Sequence, residues 1–148
     1  MKLGNGNHLM CCLDAHPCQT RDEIETVISE RAAAIKAAVC PYRPLALGLQ
    51  VNHAAARQLL GAVDAFRTFL AEGGFYCVSL NGFSYASIGN ELAKEDTYVP
   101  DWASPERAGY TLDLARLLAG ILPEGEVGTI STLASHYGKR EKREAMDN

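Results

Sequence analysis

The sequence lacks a long apolar segment: none of its runs approaches the roughly 20 residues that a membrane-spanning helix requires. Residues 1–17 contain one lysine but no apolar core of the kind that defines a secretory signal peptide. These two absences predict a cytoplasmic protein with no membrane span.

Positive charge is scarce as well. The 148 residues include 14 lysines and arginines against 18 acidic residues, for a net charge of -4. Nucleic acids and anionic membrane surfaces are bound by basic proteins, so this balance predicts no nucleic-acid partner.

Two glycine-rich motifs that bind nucleotides are missing. No GxGxxG follows the first apolar run. The glycine-containing stretch "GNGN" at residues 4–7 precedes that run and so does not stand where a phosphate-binding loop would. No GxxxxGKS or GxxxxGKT occurs in the chain. Nucleotide binding therefore lacks the motifs that usually support it.

The cysteines are odd in number and irregular in spacing, as is typical of reduced thiols in a cytosolic protein rather than of disulfides. Cys12, His16 and Cys18 are close in sequence, but their spacing matches no standard zinc site. We therefore predict no metal ion and no other cofactor within this chain. The five cysteines are Cys11, Cys12, Cys18, Cys40 and Cys77.

Apolar runs alternate with amphipathic segments along the chain. Four runs predict strands at residues 3–12, 45–51, 75–80 and 127–133. Three segments between them predict helices with Thr20, Asn52 and Ser104 as N-caps. Their expected core-facing residues are Ile24, Val27, Ile28, Ile35 and Val39 in the first, Leu59, Leu60, Val63, Phe66 and Leu70 in the second, and Leu114, Leu118, Ile121 and Leu122 in the third.

This βαβαβαβ order predicts an α/β fold with parallel strands and right-handed crossovers. Two architectures fit the pattern. One is an open doubly wound sheet, and the other is part of a (β/α)8 barrel.

Several segments, in order along the chain, resemble one family. They are "MKLGNGNHL" at the start, "HP" at residues 16–17, "LNGFSY" from residue 80 and "GTIST" from residue 128. The block "YVPDWASPERAGYTLDLARLLAGILPEG" at residues 98–125 is the most specific of them. Together these segments resemble the metabolite-traffic protein EboE family, which is similar to the xylose-isomerase-like TIM barrels.

The resemblance implies a fold. A complete barrel needs about 250 residues, so the chain is expected to be the N-terminal half of one, with about four βα units, truncated after the fourth strand. Residues 1–133 would form this partial domain. Residues 134–148, "ASHYGKREKREAMDN", are polar and charged, and we expect a frayed or disordered tail there.

The resemblance also implies a function, the trafficking or processing of a metabolite precursor, with a small polar molecule bound at the C-terminal mouth of the barrel. Relatives with the xylose-isomerase-like fold bind divalent metals through carboxylates and histidines, several of them on later strands. The strand ends of this chain are expected to supply His16, Asn52, Asn81 and Ser131 and no carboxylate. A divalent metal is therefore expected only in a full-length relative.

In the stretch "VSLNGFSYASIGN", residues 78–90, Asn81-Gly82 has the typical composition of a hairpin turn. About 20 residues follow without a returning strand. We therefore predict a strand end that presents Asn81 to a ligand, with Tyr85 as a second ligand-binding residue. The alternative is that Asn81 only satisfies backbone groups of the loop.

His16 and Ser131 follow other strands in the same way. His16 is the candidate catalytic residue, because imidazole titrates near neutral pH. The alternative is that it anchors the loop next to Pro17. Ser131 is a candidate ligand-binding hydroxyl, and the alternative is that it caps the end of the fourth strand.

Two further hypotheses concern the whole chain. By analogy of fold, it would be a sugar isomerase or epimerase completed by a missing C-terminal half, in which His16 moves a proton and Asn81 holds the substrate. Alternatively it is a nonfunctional remnant, or a chain that folds only on dimerising. The first and fourth strands would be unpaired edges and the inner sheet face apolar and exposed, which predicts a homodimer closing one eight-stranded barrel.

Overall fold

The computed structural model describes residues 1–16, 18–86 and 98–134. The predicted tail, apart from its first residue, lies outside the described residues. The elements are β1 (Met10–Cys12), α1 (Arg21–Val27), α2 (Ala33–Val39), β2 (Leu45–Gln50), α3 (His53–Leu60), α4 (Val63–Glu72), β3 (Phe75–Asn81), α5 (Pro105–Ile121) and β4 (Thr129–Ser131).

The four strands form one parallel sheet in the order β1-β2-β3-β4. The predicted α/β class with parallel strands is therefore confirmed. A doubly wound sheet reverses its strand order at a switch point, and the described strands contain no such reversal. Sequential order is typical of a barrel segment, and the half-barrel stays a prediction.

The core lies between the sheet and the helices that follow its strands. Leu47 and Leu49 of β2 and Leu80 of β3 are at most 2% exposed. They share one apolar cluster with Leu114 and Leu117 of α5, which also contacts α3 and α4. Burial of each such leucine contributes about 2 kcal/mol, so these contacts hold the helices against one face of the sheet.

The first helical segment changes phase in its middle. A π-helical turn, Ile28–Ala32, separates α1 from α2. Such a turn contains one extra residue, which rotates the following residues by about 100° around the helix axis. Ile28 is buried as predicted, whereas Ile35 and Val39 are 42% and 61% exposed. The prediction for these two was wrong because it assumed an unbroken α-helical period.

The second predicted helix is two helices. Gly61 and Ala62 separate α3 from α4, and Ala62 leaves the helical region with φ -142° and ψ 34°. The Ala62 N–H donates to the Leu59 carbonyl at 3.1 Å. The predicted apolar stripe still faces the core, since Leu59, Phe66 and Leu70 are buried.

The predicted first strand is mostly a hairpin. Within the described chain, Met10–Cys12 joins the sheet, while Lys2 and His8 form an antiparallel bridge ahead of it. His8 contacts the Tyr76 hydroxyl at 2.9 Å and the Glu126 carboxylate at 3.0 Å. A strand from residue 3 was a wrong prediction, because the groups that hold the hairpin lie far along the chain.

A β-bulge at Val78 decides which side chains at the end of β3 face the core. The pairing with β2 skips Val78, which is therefore an extra residue. Cys77 and Leu80 both belong to the apolar core, so Asn81 lies on the opposite face. If residues 77–81 all alternated regularly, with Val78 included in the pairing, Asn81 would face the helices together with Cys77.

The sheet face away from the helices carries small and polar side chains. A Cβ added to Gly48 would lie 3.3 Å from the Cys12 sulfur. The Thr129 hydroxyl lies 3.0 Å from the Ser79 hydroxyl on the neighbouring strand. Met10 adds one partly exposed apolar side chain. The expected exposed apolar face is therefore not found among the described residues.

Gly82 tests how tightly α5 packs on the end of β3. We expect Gly82→Ala to destabilise the fold by about 1–3 kcal/mol, because an added Cβ would clash with a methyl group of Leu114. Gly109 in α5 is the matched control, since nothing lies within 4 Å of a Cβ added there. Gly109→Ala should raise stability by about 0.5–1 kcal/mol. Urea unfolding measures both, and equal free energies of unfolding would contradict this packing.

Glu126 should make the attachment of the hairpin sensitive to acid. The pKa of its carboxyl lies below the ordinary value, chiefly because Lys2 donates a hydrogen bond to it at 2.6 Å and to a lesser extent because of His8. A carboxyl with a lowered folded pKa stabilises the fold above its unfolded pKa, and this contribution is lost as the pH falls through the folded pKa.

We therefore expect Glu126→Gln to lower the melting temperature at pH 7 and to have a smaller effect near pH 3. Glu124→Gln is the control, because Glu124 is exposed two residues earlier. Melting curves of both variants at the two pH values measure the difference. An equal effect of Glu126→Gln at both pH values would contradict the role of this carboxylate.

Candidate functional site

Four polar residues lie side by side at the carboxyl edge of the sheet, on the open face. Strand pairing places Gln50 beside Asn81 and Asn81 beside Ser131. The hydrogen-bond ladder of β1 continues one residue past the strand, which brings Asp14 level with Gln50. We call this set the polar row: Asp14, Gln50, Asn81 and Ser131.

The Asn81 amide connects the polar row to the loop that follows β3. Its Nδ2 donates to the Asp14 carboxylate at 3.3 Å, and its Oδ1 accepts from the Phe83 N–H at 3.0 Å. The oxygen end of the amide thus satisfies loop backbone, as the second alternative expects, while its nitrogen end contacts Asp14. Ligand binding by Asn81 stays a prediction. An amide donates two hydrogens, and the second is available to a ligand.

Asp14 is a candidate site residue that the sequence prediction missed. The expectation of no carboxylate at the strand ends was wrong, because Asp14 lies two residues past β1 and contacts Asn81. The available signal was the acidic residue directly after the apolar run "LMCCL".

Ser131 marks the end of β4 as predicted. Its carbonyl accepts from the Gly82 N–H at 2.9 Å, which continues the parallel pairing of β3 with β4. Asn81-Gly82 is therefore the end of a strand and not a hairpin turn, as predicted. The Ser131 residue is exposed at the outer edge of the polar row.

His16 lies on the helix side of the sheet edge. It lines a crevice of about 10 Å³ with, among others, Leu13, Cys18, Leu49 and Gln50. That volume is too small for an organic ligand. Asn81 contacts Asp14 and not this histidine, so the described residues do not place His16 beside Asn81 as the isomerase hypothesis would require.

Tyr85 packs in an aromatic cluster. Its ring stacks on His53 with centroids 4.6 Å apart and meets Tyr110 edge-on at 5.4 Å. The guanidinium carbon of Arg107 lies 5.9 Å from the centre of the Tyr85 ring. These contacts hold the Tyr85 ring on the α5 side of the loop and not beside Asn81. Its predicted role in ligand binding stays a prediction.

Arg107 is the charged residue at the centre of this packing, and it is 0% exposed. Its Nε donates to the Pro100 carbonyl at 2.8 Å, and its Nη1 donates to the carbonyls of Gly82 at 3.0 Å and Phe83 at 3.2 Å. Burial lowers the pKa of Arg107, but arginine remains charged because its ordinary pKa is above about 12. The guanidinium therefore fixes the loop after β3 to the loop before α5.

Tyr110, one turn further along α5, supports the same loop. Its hydroxyl lies within hydrogen-bond distance of the Val51 and Ser84 carbonyls, which follow β2 and β3. Burial raises the pKa of this phenol far above neutrality. It thus stays protonated and can donate at any physiological pH.

Three of the five thiols are poor candidates for a nucleophile. Burial raises the pKa values of Cys11 and Cys18, and it raises that of Cys77 to about 12. A thiol with a raised pKa stays protonated at neutral pH, whereas the thiolate is the reactive form.

The described residues contain neither a metal-binding cluster nor a membrane-spanning helix. In residues 1–16, 18–86 and 98–134, no three side chains of His, Cys, Asp or Glu are grouped so that they would hold a metal ion. The helices in these ranges are too short or too polar to cross a bilayer.

Arg107→Met should destabilise the protein by about 3 kcal/mol, because it removes the hydrogen bonds to three carbonyls that are buried or partly buried. Arg67→Met is the matched control: Arg67 has a 58% exposed side chain and pairs with an exposed Asp64. We expect the control to change stability by less than about 0.5 kcal/mol. Urea unfolding of the two variants measures the loss of stability. Similar losses in both would show that the hydrogen bonds of Arg107 are not a main contributor to stability.

Comparison of the chain with protein-family models, with curated proteins and with solved structures found no match in any of the three. The family resemblance therefore rests on the sequence segments alone and stays a prediction.

Proposed function

We propose that this chain is the N-terminal half of an EboE-like (β/α)8 barrel and binds a small polar metabolite precursor at the polar row. The observation that carries the proposal is the alignment of Asp14, Gln50, Asn81 and Ser131 at the carboxyl edge of a parallel sheet. Ligands of parallel α/β folds bind at this edge, because the loops there differ in sequence while the strands hold them in place.

The chemistry of the row defines the class of ligand. The Asp14 carboxylate accepts hydrogen bonds, the two amides donate and accept, and the Ser131 hydroxyl does both. An apolar ligand would leave these groups without partners, which costs free energy. A molecule with several hydroxyl groups, or with an amine opposite Asp14, complements them best, and a strongly anionic molecule would be repelled.

The sheet beneath the row carries mainly short side chains near Gly48. Gly48 has no side chain, and its neighbours Cys12 and Ser79 have short ones. The Met10 thioether covers Gly48, since its sulfur would lie 3.4 Å from a Cβ added there. A ligand bound at the row would therefore pack against this methionine, whose flexible side chain adapts readily to such contacts.

A sugar isomerase or epimerase is the second candidate, and Asp14 is the observation that favours it. A carboxylate can remove a proton from a carbon next to a carbonyl, while the Asn81 amide donates to the carbonyl oxygen. This assignment moves the role of base from His16 to Asp14, which lies 3.3 Å from the amide. A divalent metal, if the reaction uses one, would need ligands from the strands of a full-length relative.

The proposal includes association of two copies. β1 and β4 have three residues each, and their outer edges are unpaired in the described part of the chain. A two-fold axis along the barrel would pair β4 of one copy in parallel with β1 of the other. Ser131 would then lie near the partner's Asp14, so that two polar rows would complete one site.

Asp14→Asn tests the polar row. We expect D-glucosamine, a sugar that carries an amine, to shift the backbone amide resonances around Asn81 in NMR spectra of the 148-residue chain. Asp14→Asn should weaken this binding by about tenfold, since a charge-assisted hydrogen bond is lost. Asp64→Asn is the matched control, because Asp64 has an 81% exposed side chain on α4.

Two further measurements on the same sample separate the candidates. D-Xylose provides an uncharged sugar, and light scattering gives the oligomeric state. An absence of shifts at the polar row with both sugars, in a stable dimer, would contradict the proposed function. Conversion of D-xylose to D-xylulose in the presence of Mn²⁺ would favour the isomerase.

A further inference from the structure

A second pocket lies at the amino edge of the sheet, at the opposite ends of the strands from the polar row. Its volume is about 420 Å³, which lies within the range of small-molecule sites. Its lining includes Pro44 before β2, Ala71 in α4, Phe75 at the start of β3 and Pro123 after α5. We call it the amino-end pocket.

The walls of the amino-end pocket are mainly apolar and rigid. Two prolines and the Phe75 ring offer flat surfaces with few rotatable bonds. Such surfaces lose little conformational entropy when a flat apolar group packs between them. The walls therefore favour a compact aromatic or branched body over an extended polar one.

The rim of the pocket carries an uncompensated positive charge. Lys2 Nζ is 2.6 Å from the Glu126 carboxylate, whose other oxygen contacts His8 at 3.0 Å. The acidic group of the pocket is therefore occupied. Arg43 also lines the pocket, and within residues 1–16, 18–86 and 98–134 no carboxylate lies within ion-pair distance of it.

The hairpin holds the Arg43 guanidinium at the rim. Its Nη2 donates to the Lys2 carbonyl at 2.6 Å, so the plane of the group is restrained while its other N–H groups can bind a ligand. A restrained guanidinium binds a carboxylate through two parallel hydrogen bonds. The chain has a net charge of -4, so a positively charged rim beside apolar walls differs from its overall acidic character.

We infer that the amino-end pocket binds a small organic acid. Its carboxylate bonds to Arg43, and its apolar body packs against Pro44, Phe75 and Pro123. The pocket requires both the carboxylate and the apolar body. An inorganic anion would make no contact with the apolar walls, and a neutral apolar molecule would leave the Arg43 guanidinium unpaired. The inference does not depend on the polar row, which lies at the other edge of the sheet.

Benzoate is the probe that tests this inference, with benzamide as its neutral isostere and inorganic phosphate as an anion without an apolar body. We expect benzoate to shift the amide resonances of Phe75 and its neighbours, with a Kd in the millimolar range for a ligand of this size. Arg43→Gln should weaken benzoate binding by about tenfold. Arg67→Gln removes an exposed arginine of α4 and should leave it unchanged.

Ala71→Trp provides a second variant, which fills the pocket from the exposed end of α4 and should abolish the shifts. The spectra of both variants without ligand show whether each is folded, and either folded variant is sufficient for the test. The inference is overturned if benzamide or phosphate binds as tightly as benzoate, or if a folded Arg43→Gln or Ala71→Trp variant binds benzoate like the unmodified chain.

Discussion

The buried guanidinium of Arg107 is the contact on which the carboxyl edge of the sheet depends. It joins the carbonyls of Gly82 and Phe83, just past β3, to the carbonyl of Pro100 ahead of α5. Buried carbonyls need such partners, because water does not reach them. Asn81 immediately precedes these residues, and its Oδ1 accepts from the Phe83 N–H, so the loop that orients this amide is held from the helix side.

Local sequence patterns were sufficient to predict the parallel sheet. The apolar runs at 45–51 and 75–80 and the amphipathic segments between them correspond to β2, β3 and the helices that cover them. The errors arose where the information is not local. His8 is held by Glu126, 118 positions later, and the phase change that exposes Ile35 comes from a π-helical turn with no recognised sequence signature.

The candidate site was predicted only in part, for similar reasons. Asn81 and Ser131 followed from the expected ends of strands, which apolar runs locate well. Asp14 was missed because its place in the row depends on the register between β1 and β2, and no pattern within β1 specifies register. The positions of Tyr85 and His16 depend on packing against α5 and α1, which a strand-end argument does not include.

The bulge at Val78 has a consequence for how such a site survives in evolution. In a regular strand, the gain or loss of one codon exchanges the faces of all residues beyond it. A bulge absorbs such a change, because the extra residue leaves the pairing and the residues beyond it keep their partners. At the end of β3, Leu80 and Asn81 stay opposite Leu49 and Gln50, so a lineage can gain or lose a residue at this point without losing the central amide of the polar row.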